Sequence, residues 1–220
     1  VSRRAWILVA VPVALLLGLV LGPLAYAALQ DDAPAAQTAQ VQPEDAELAA
    51  GTDGTWSVAE GSTAGYRVDE VLNGADVTVA GTTDQVSGSV VVEGDELTSA
   101  EITVDVASIA TDSGRRDSYF RDSVMDVGTH PTATFAITEP VELPELTGTP
   151  VSVPVSGELT LTGETRPVQV ELSVVRTPDG VDVSGSIPVT FADFGIEAPD
   201  LGFVRVEDSG AVEFLLHLAQ

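Results

Sequence analysis

The sequence reads as an all-β chain built as an antiparallel barrel or sandwich. Three observations carry that reading. Apolar and polar residues alternate with a period of two through most of the chain from Trp56 onward, the mark of strands with one buried face. No amphipathic helices separate the alternating runs, which argues against a parallel sheet with crossover helices. Glycines recur inside the runs, at Gly88, Gly157 and Gly185 of three Val-Ser-Gly tripeptides, as long strands that bend or bulge require. The tripeptides are unevenly spaced and make no tandem repeat.

The strands follow in order. Alternating runs occupy residues 66–72, 77–79 and 86–92. In EITVDVASI, Ile102, Val104 and Val106 face one way while Glu101, Thr103 and Asp105 face the other. Residues 132–137 and 151–161 continue the pattern, and Val168, Val170, Leu172 and Val174 form one face of the next run. Val181, Val183, Gly185, Ile187, Val189 and Phe191 line another, and residues 203–218 close the chain. Roughly eight to ten strands result.

The leading residues differ in kind. Arg3 and Arg4 precede an uncharged stretch from Ala5 to Gln30, which meets Asp31 and Asp32. A cleaved signal peptide would use the A-x-A site at Ala25-Tyr26-Ala27. The apolar run is longer than a signal core and reaches the ~20 residues that span a bilayer, which favours an uncleaved anchor. Under either reading the paired arginines put the remainder outside the cytoplasm. Residues 1–29 are therefore expected to be a transmembrane or signal helix. The protein is expected on the cell membrane as a single-pass chain, or secreted if the signal is cleaved. Residues 30–54, rich in Ala, Gln, Pro and acids, read as a disordered linker with a reach of roughly 25–30 Å. Residues 55–220 make the β domain.

Charge and composition exclude several functions. The formal net charge is −25, from 34 acidic residues against 9 arginines and no lysine. Such a surface repels nucleic acid. Cysteine is absent, so there are no disulfides, thiolate metal sites or Cys nucleophiles. His130, before Pro131 in a turn, and His217, in a terminal strand, are the two histidines; they lack the spacing of a metal site. No G-x-S-x-G, P-loop, G-x-G-x-x-G or calcium loop occurs. No catalytic residue, metal ligand or required cofactor is nominated, and the chain is not expected to be an enzyme.

One insert breaks the strand pattern. ASIATDSGRRDSYFRDSVMDVGTHPTATF, residues 107–135, holds Arg115, Arg116 and Arg121. Ser113 is placed as an N-cap for about two helical turns, with Asp117 and Arg121 at the favourable i,i+4 spacing. Phe120 supplies bulk to cover one end of the core. The arginines either pin this cap to carboxylates and carbonyls at the rim, or bind a ligand's polar head there. The first use is the commoner.

This stretch resembles the YceI-like family, a lipocalin-like group associated with polyisoprenoid binding. The matching residues are Ser108 and Ile109, Arg116-Asp117, Arg121, Asp126, Pro131-Thr132 and Thr134-Phe135. VSGELTLTGETRPVQV matches through Gly157, Leu159, Thr160, Gly163 and Thr165 to Val168, and FADFGI, residues 191–196, is a third match. Gly61 before Ser62, and His130 before the proline, depart from the family pattern.

The resemblance implies an extended antiparallel lipocalin-like barrel of about eight strands. It would enclose an isoprenoid lipid, either a polyprenyl chain or an isoprenoid quinone. On that reading the lining draws on Tyr66, Val77, Val79, Val104, Phe120, Phe135, Leu159, Leu161, Val170, Leu172, Phe191, Phe203 and Phe214, with Arg116 and Arg121 at the rim. The residues give partial support, because inward positions dominated by Val, Ala, Gly and Thr leave space in a barrel of this size. A flattened barrel packed by its own side chains, serving as a structural or interaction module of the cell envelope, is the alternative. An enzyme acting on a lipid would need a buried polar cluster inside the barrel.

Overall fold

The computed structural model describes residues 33–220, and the segment read as a signal or anchor lies outside them. Among the described residues no helix is long and apolar enough to cross a membrane.

Among the described residues eleven strands form one sheet: β1 (Gly54–Val58), β2 (Thr63–Leu72), β3 (Ala75–Thr83), β4 (Val86–Glu93), β5 (Glu96–Asp105), β6 (Thr132–Ile137), β7 (Val141–Glu142), β8 (Val151–Leu161), β9 (Glu164–Arg176), β10 (Val181–Thr190) and β11 (Val204–Ala219). All pairings between strands are antiparallel. The ring closes because β1 bonds to β4 on one side and to β11 on the other, opposite Ala219 and Leu218. Eight strands complete the circuit in the order β1-β4-β5-β6-β8-β9-β10-β11. The β2 strand shares the β11 edge with β1 and carries β3 on its far side. A register shift between Val206 and Gly210 is a bulge that bends β11. The expected all-β barrel of about eight strands is what forms.

Local chemistry explains the turns. Asn73 and Gly74 join β2 to β3 with φ of 51° and 86°, the doubly positive pair that matches the twist of a two-residue hairpin. Inward positions then alternate along each strand. On β8, Val153, Val155, Leu159 and Leu161 are buried between exposed or half-buried neighbours.

Two of the Val-Ser-Gly glycines have a specific use. A Cβ on Gly157 would meet the Phe135 ring at 2.5 Å, and one on Gly185 would meet the Phe214 ring at 2.7 Å. Each glycine leaves a notch in the wall into which a neighbouring phenyl lies. Gly185→Ala should therefore displace Phe214 and cost about 1–3 kcal/mol of stability. Denaturant melts check this, and the additional change Phe214→Leu should recover part of the loss.

The insert between β5 and β6 departs from the expected two-turn helix. A 3₁₀ turn (Val106–Ser108) precedes helix α1 (Gly114–Tyr119), which runs directly into a π-helical turn (Phe120–Val124). Ser113 stands at the N-cap without a side-chain capping bond. The expected Asp117–Arg121 pair does not form. The wider π turn shifts the register after Tyr119, and the Asp117 carboxylate instead accepts from Thr111 N at 2.9 Å and Thr111 Oγ1 at 2.7 Å. Paired backbone bonds of 3.0 Å between Thr82 and Ala110 pin the insert to β3. Val106, Ile109 and Met125 are buried where it caps the core.

Residues 33–53 have almost no regular structure, yet they lie on the barrel. Ala33 N donates to Thr78 O, Gln42 N to Gly148 O, and Ala49 N to Thr177 O. Ala39 N reaches Ser184 Oγ at 3.0 Å, and Arg176 Nε donates to Ala49 O at 2.6 Å. Ser184 and Val175 sit at outward positions of β10 and β9, and both are buried. The crossing segment covers Ser184 through Ala39, and its bonds to Arg176 and Thr177 run beside Val175.

Candidate functional site

Inside the barrel lie two apolar lobes that share Ala64, Val104, Ala133 and Val212 as common lining. The first has a cavity volume of about 130 Å³. Its walls include Trp56, Ile102, Phe135, Val153, Leu159, Leu172, Val183, Ile187 and Phe214, and its polar side chains are Thr52 and Thr134. Trp56 Nε1 donates to Thr52 O at 2.8 Å, so the indole brings no unsatisfied polar group to the wall. The second lobe, of about 160 Å³, lies toward the insert and is bordered by Tyr66, Val106, Ile109, Tyr119, Phe120, Met125, Leu161 and Phe191. Each lobe is roughly ten times the space that a single water molecule needs. Water gains few partners on such walls, and apolar carbon gains most from filling them.

The second lobe ends in a polar cluster. Tyr66 stacks on Phe120 with ring centroids 4.7 Å apart and planes 25° off parallel. Arg116 borders the same lobe. Its Nη1 bonds Asp112 Oδ1 at 2.5 Å and its Nη2 stands 3.6 Å from Glu70 Oε1. Glu70 is only 5% exposed. Burial pushes its carboxyl above the usual range, with Arg116 pulling the other way. Burial likewise raises the Tyr66 phenol to about 12, against the pull of Arg116, so it stays protonated and can donate.

The lining expectations divide. Tyr66, Val104, Phe120, Phe135, Leu159, Leu161, Leu172, Phe191 and Phe214 border the lobes, and Arg116 sits at the rim as expected. Val77 and Val79 do not; they pack with Leu72 in a separate cluster, because β3 lies outside the closed ring, beyond β2. Val170 is buried in the core without facing either lobe. Phe203 precedes β11 and is 58% exposed. Arg121 does not border the lobes; its Nη2 reaches Ser118 Oγ at 3.4 Å on the exposed side of the insert. Phe191 keeps its inward position but begins a 3₁₀ turn (Phe191–Phe194) rather than ending a strand.

Glu70 and Asp112 escaped the sequence reading, and Asp117 was read with a different partner, Arg121. One signal was present for Glu70: on β2 it falls in the alternating set Tyr66, Val68, Glu70, Leu72, where an acid interrupts an apolar face. The fold also brings Ser62, His217 and Asp182 together, and they form no triad. His217 Nδ1 is 2.7 Å from Asp182 Oδ1, whereas Ser62 Oγ donates to Ala59 O at 2.8 Å and accepts from the His217 backbone N–H at 2.9 Å. The serine hydroxyl thus serves the backbone, and no base is aligned with it.

Comparison with known proteins agrees with this fold. The solved polyisoprenoid binding domain from Saccharophagus degradans, implicated in plant cell wall breakdown, superimposes with a TM-score of 0.61 at 21% identity, covering 79% of this chain and 99% of that one. BcnA of Burkholderia cenocepacia gives a TM-score of 0.58 at 22% identity, over 76% and 96% of the two chains. These likenesses establish the fold. Among curated sequences, the UPF0312 protein PSPA7_0523 of Pseudomonas paraeruginosa is 32% identical over 123 residues, 53% of this chain and 59% of the relative. The UPF0312 protein PA0423 of Pseudomonas aeruginosa is 31% identical over the same length. The chain thus spans less than two thirds of these relatives. The YceI-like domain model matches residues 56–218, the whole closed barrel with its insert, and the chain belongs to the YceI-like family.

Proposed function

We propose that this protein is a binding or carrier protein for a long apolar isoprenoid lipid, a polyprenyl chain or an isoprenoid quinone. The tail occupies both lobes and the head group lies toward Arg116. The carrying observation is the pair of apolar lobes that share a wall inside a closed barrel. Each buried CH₂ contributes about 0.8 kcal/mol, so a five-carbon unit contributes a few kcal/mol before ordering costs are subtracted. Affinity then comes from the tail and needs no catalytic group. The polyisoprenoid binding domain from Saccharophagus degradans supports the reading by its shared fold. The lobes speak against the packed structural module.

In the proposed setting residues 1–29 keep the protein at the membrane or direct its export, with the barrel outside the cytoplasm. The test is native mass spectrometry and organic extraction of the full chain purified from its own membranes. A co-purifying isoprenoid is the expected result, with added menaquinone raising the melting temperature. No extracted lipid together with no thermal shift overturns the proposal.

A further inference from the structure

The second lobe ends in a cluster of charged side chains around Arg116. Arg116 is the one basic side chain that borders either lobe among the described residues. Both of its terminal nitrogens already face carboxylates, Asp112 at 2.5 Å and Glu70 at 3.6 Å. A third carboxylate, Asp117, is buried one residue away and held by Thr111. Two acids therefore flank the guanidinium, and the third is linked to it through the Thr111 hydroxyl, 3.4 Å from Arg116 Nη1.

A phosphate or diphosphate entering here would have to take Arg116 from its present partners. Glu70, buried on β2, would then be left as an unpaired charge beside an incoming anion, which is the costly way to break such a pair. An uncharged oxygen asks for no such exchange. A guanidinium carries five N–H donors, more than these two partners use, and the Tyr66 hydroxyl can donate as well. A carbonyl or hydroxyl oxygen can accept from either, while the stacked Tyr66 and Phe120 rings supply a flat wall beside it.

Resting on the lipid-binding reading above, we infer that the site takes isoprenoids with an uncharged oxygen head, a quinone or an alcohol, and rejects their phosphorylated forms. The cluster around Arg116 is a filter against anions, although a lone arginine at a cavity rim would ordinarily suggest a phosphate site.

The experiment compares four probes with the same twenty-carbon tail on the full chain: geranylgeraniol, its monophosphate, its diphosphate, and a menaquinone with four isoprene units. Competition against a fluorescent fatty probe reads the affinities. The alcohol and the quinone are expected to bind at least tenfold tighter than the diphosphate, with the monophosphate between. In the Glu70→Gln/Asp112→Asn double variant the ratio of alcohol to diphosphate affinity is expected to fall at least tenfold. Asp112→Asn alone, at an exposed position, should shift it in the same direction if the double variant folds poorly. Equal or tighter binding of the diphosphate to the unaltered chain overturns the inference, as does a ratio that the variants leave unmoved. Failure of all four probes to bind overturns the lipid-binding reading itself, a different outcome from binding without discrimination.

Discussion

Ala133→Phe is expected to reduce affinity for a long isoprenoid at least a hundredfold while leaving the barrel folded. Ala133, on β6, is one of the four residues common to both lobes, so a phenyl ring there divides the lumen in two. A tail confined to one lobe loses the burial of several isoprene units. At about 0.8 kcal/mol per CH₂ this greatly exceeds the ~2.7 kcal/mol that a hundredfold represents, even after ordering costs are returned. The ring enters space that is present in the unaltered lumen, so the stability change should stay within about 1 kcal/mol. Titration with an eight-unit menaquinone and with geraniol separates the cases: the long ligand is lost and the short one, which fits one lobe, is kept. Undiminished binding of the long ligand would show that its tail does not pass the shared wall.

Arg116→Ala is expected to destabilise the fold by about 1–3 kcal/mol near neutral pH, through the carboxylate it leaves behind. The Arg116 side chain is 24% exposed, and its second partner, Asp112, is 70% exposed and returns to water at little cost. Glu70 cannot do so. Its carboxyl is already shifted upward by burial, and the Arg116 charge is what opposes the shift. A carboxyl whose folded pKa is raised penalises the folded state once it ionises. The penalty is complete above the folded pKa and absent below the unfolded value of 4.5. The cost of Arg116→Ala should therefore shrink as pH falls toward 4. The double change Arg116→Ala/Glu70→Gln should recover most of it at neutral pH. Denaturant melts across pH 4–8 measure both, and a pH-independent loss would place the effect in packing of the arginine stem instead.

Most of the barrel was legible because alternation is a direct consequence of a wall with one wet face. The runs at residues 151–161 and 181–191 mark β8 and β10 to within a residue. Short elements were not legible: β7 has two residues, and β1 leaves a glycine-rich segment that has no alternation before Trp56. The strand pattern could place residues on a face but could not say which strands close the ring, and so Val77 and Val79 on β3 looked like lining. The insert was recognisable by composition, but the switch from α to π after Tyr119 depends on how Phe120, Val124 and Met125 meet the barrel end. Arg116 was found, whereas its carboxylate partner on β2 was not. Their pairing spans 46 positions in sequence, and neither residue alone specifies it.

The segment from Ala33 to Asp53 changes where this molecule's cooperative unit begins. Alternation starts at Trp56, so excision near there would look harmless on paper. It would instead strip a hand-stitched girdle from the outside of β9 and β10, taking from Ser184 the amide it accepts and from Arg176 the carbonyl it donates to. Shortened chains that retain Ala33 keep that outer skin, whereas those that start at the first strand leave the buried Ser184 hydroxyl and the Arg176 guanidinium without these partners.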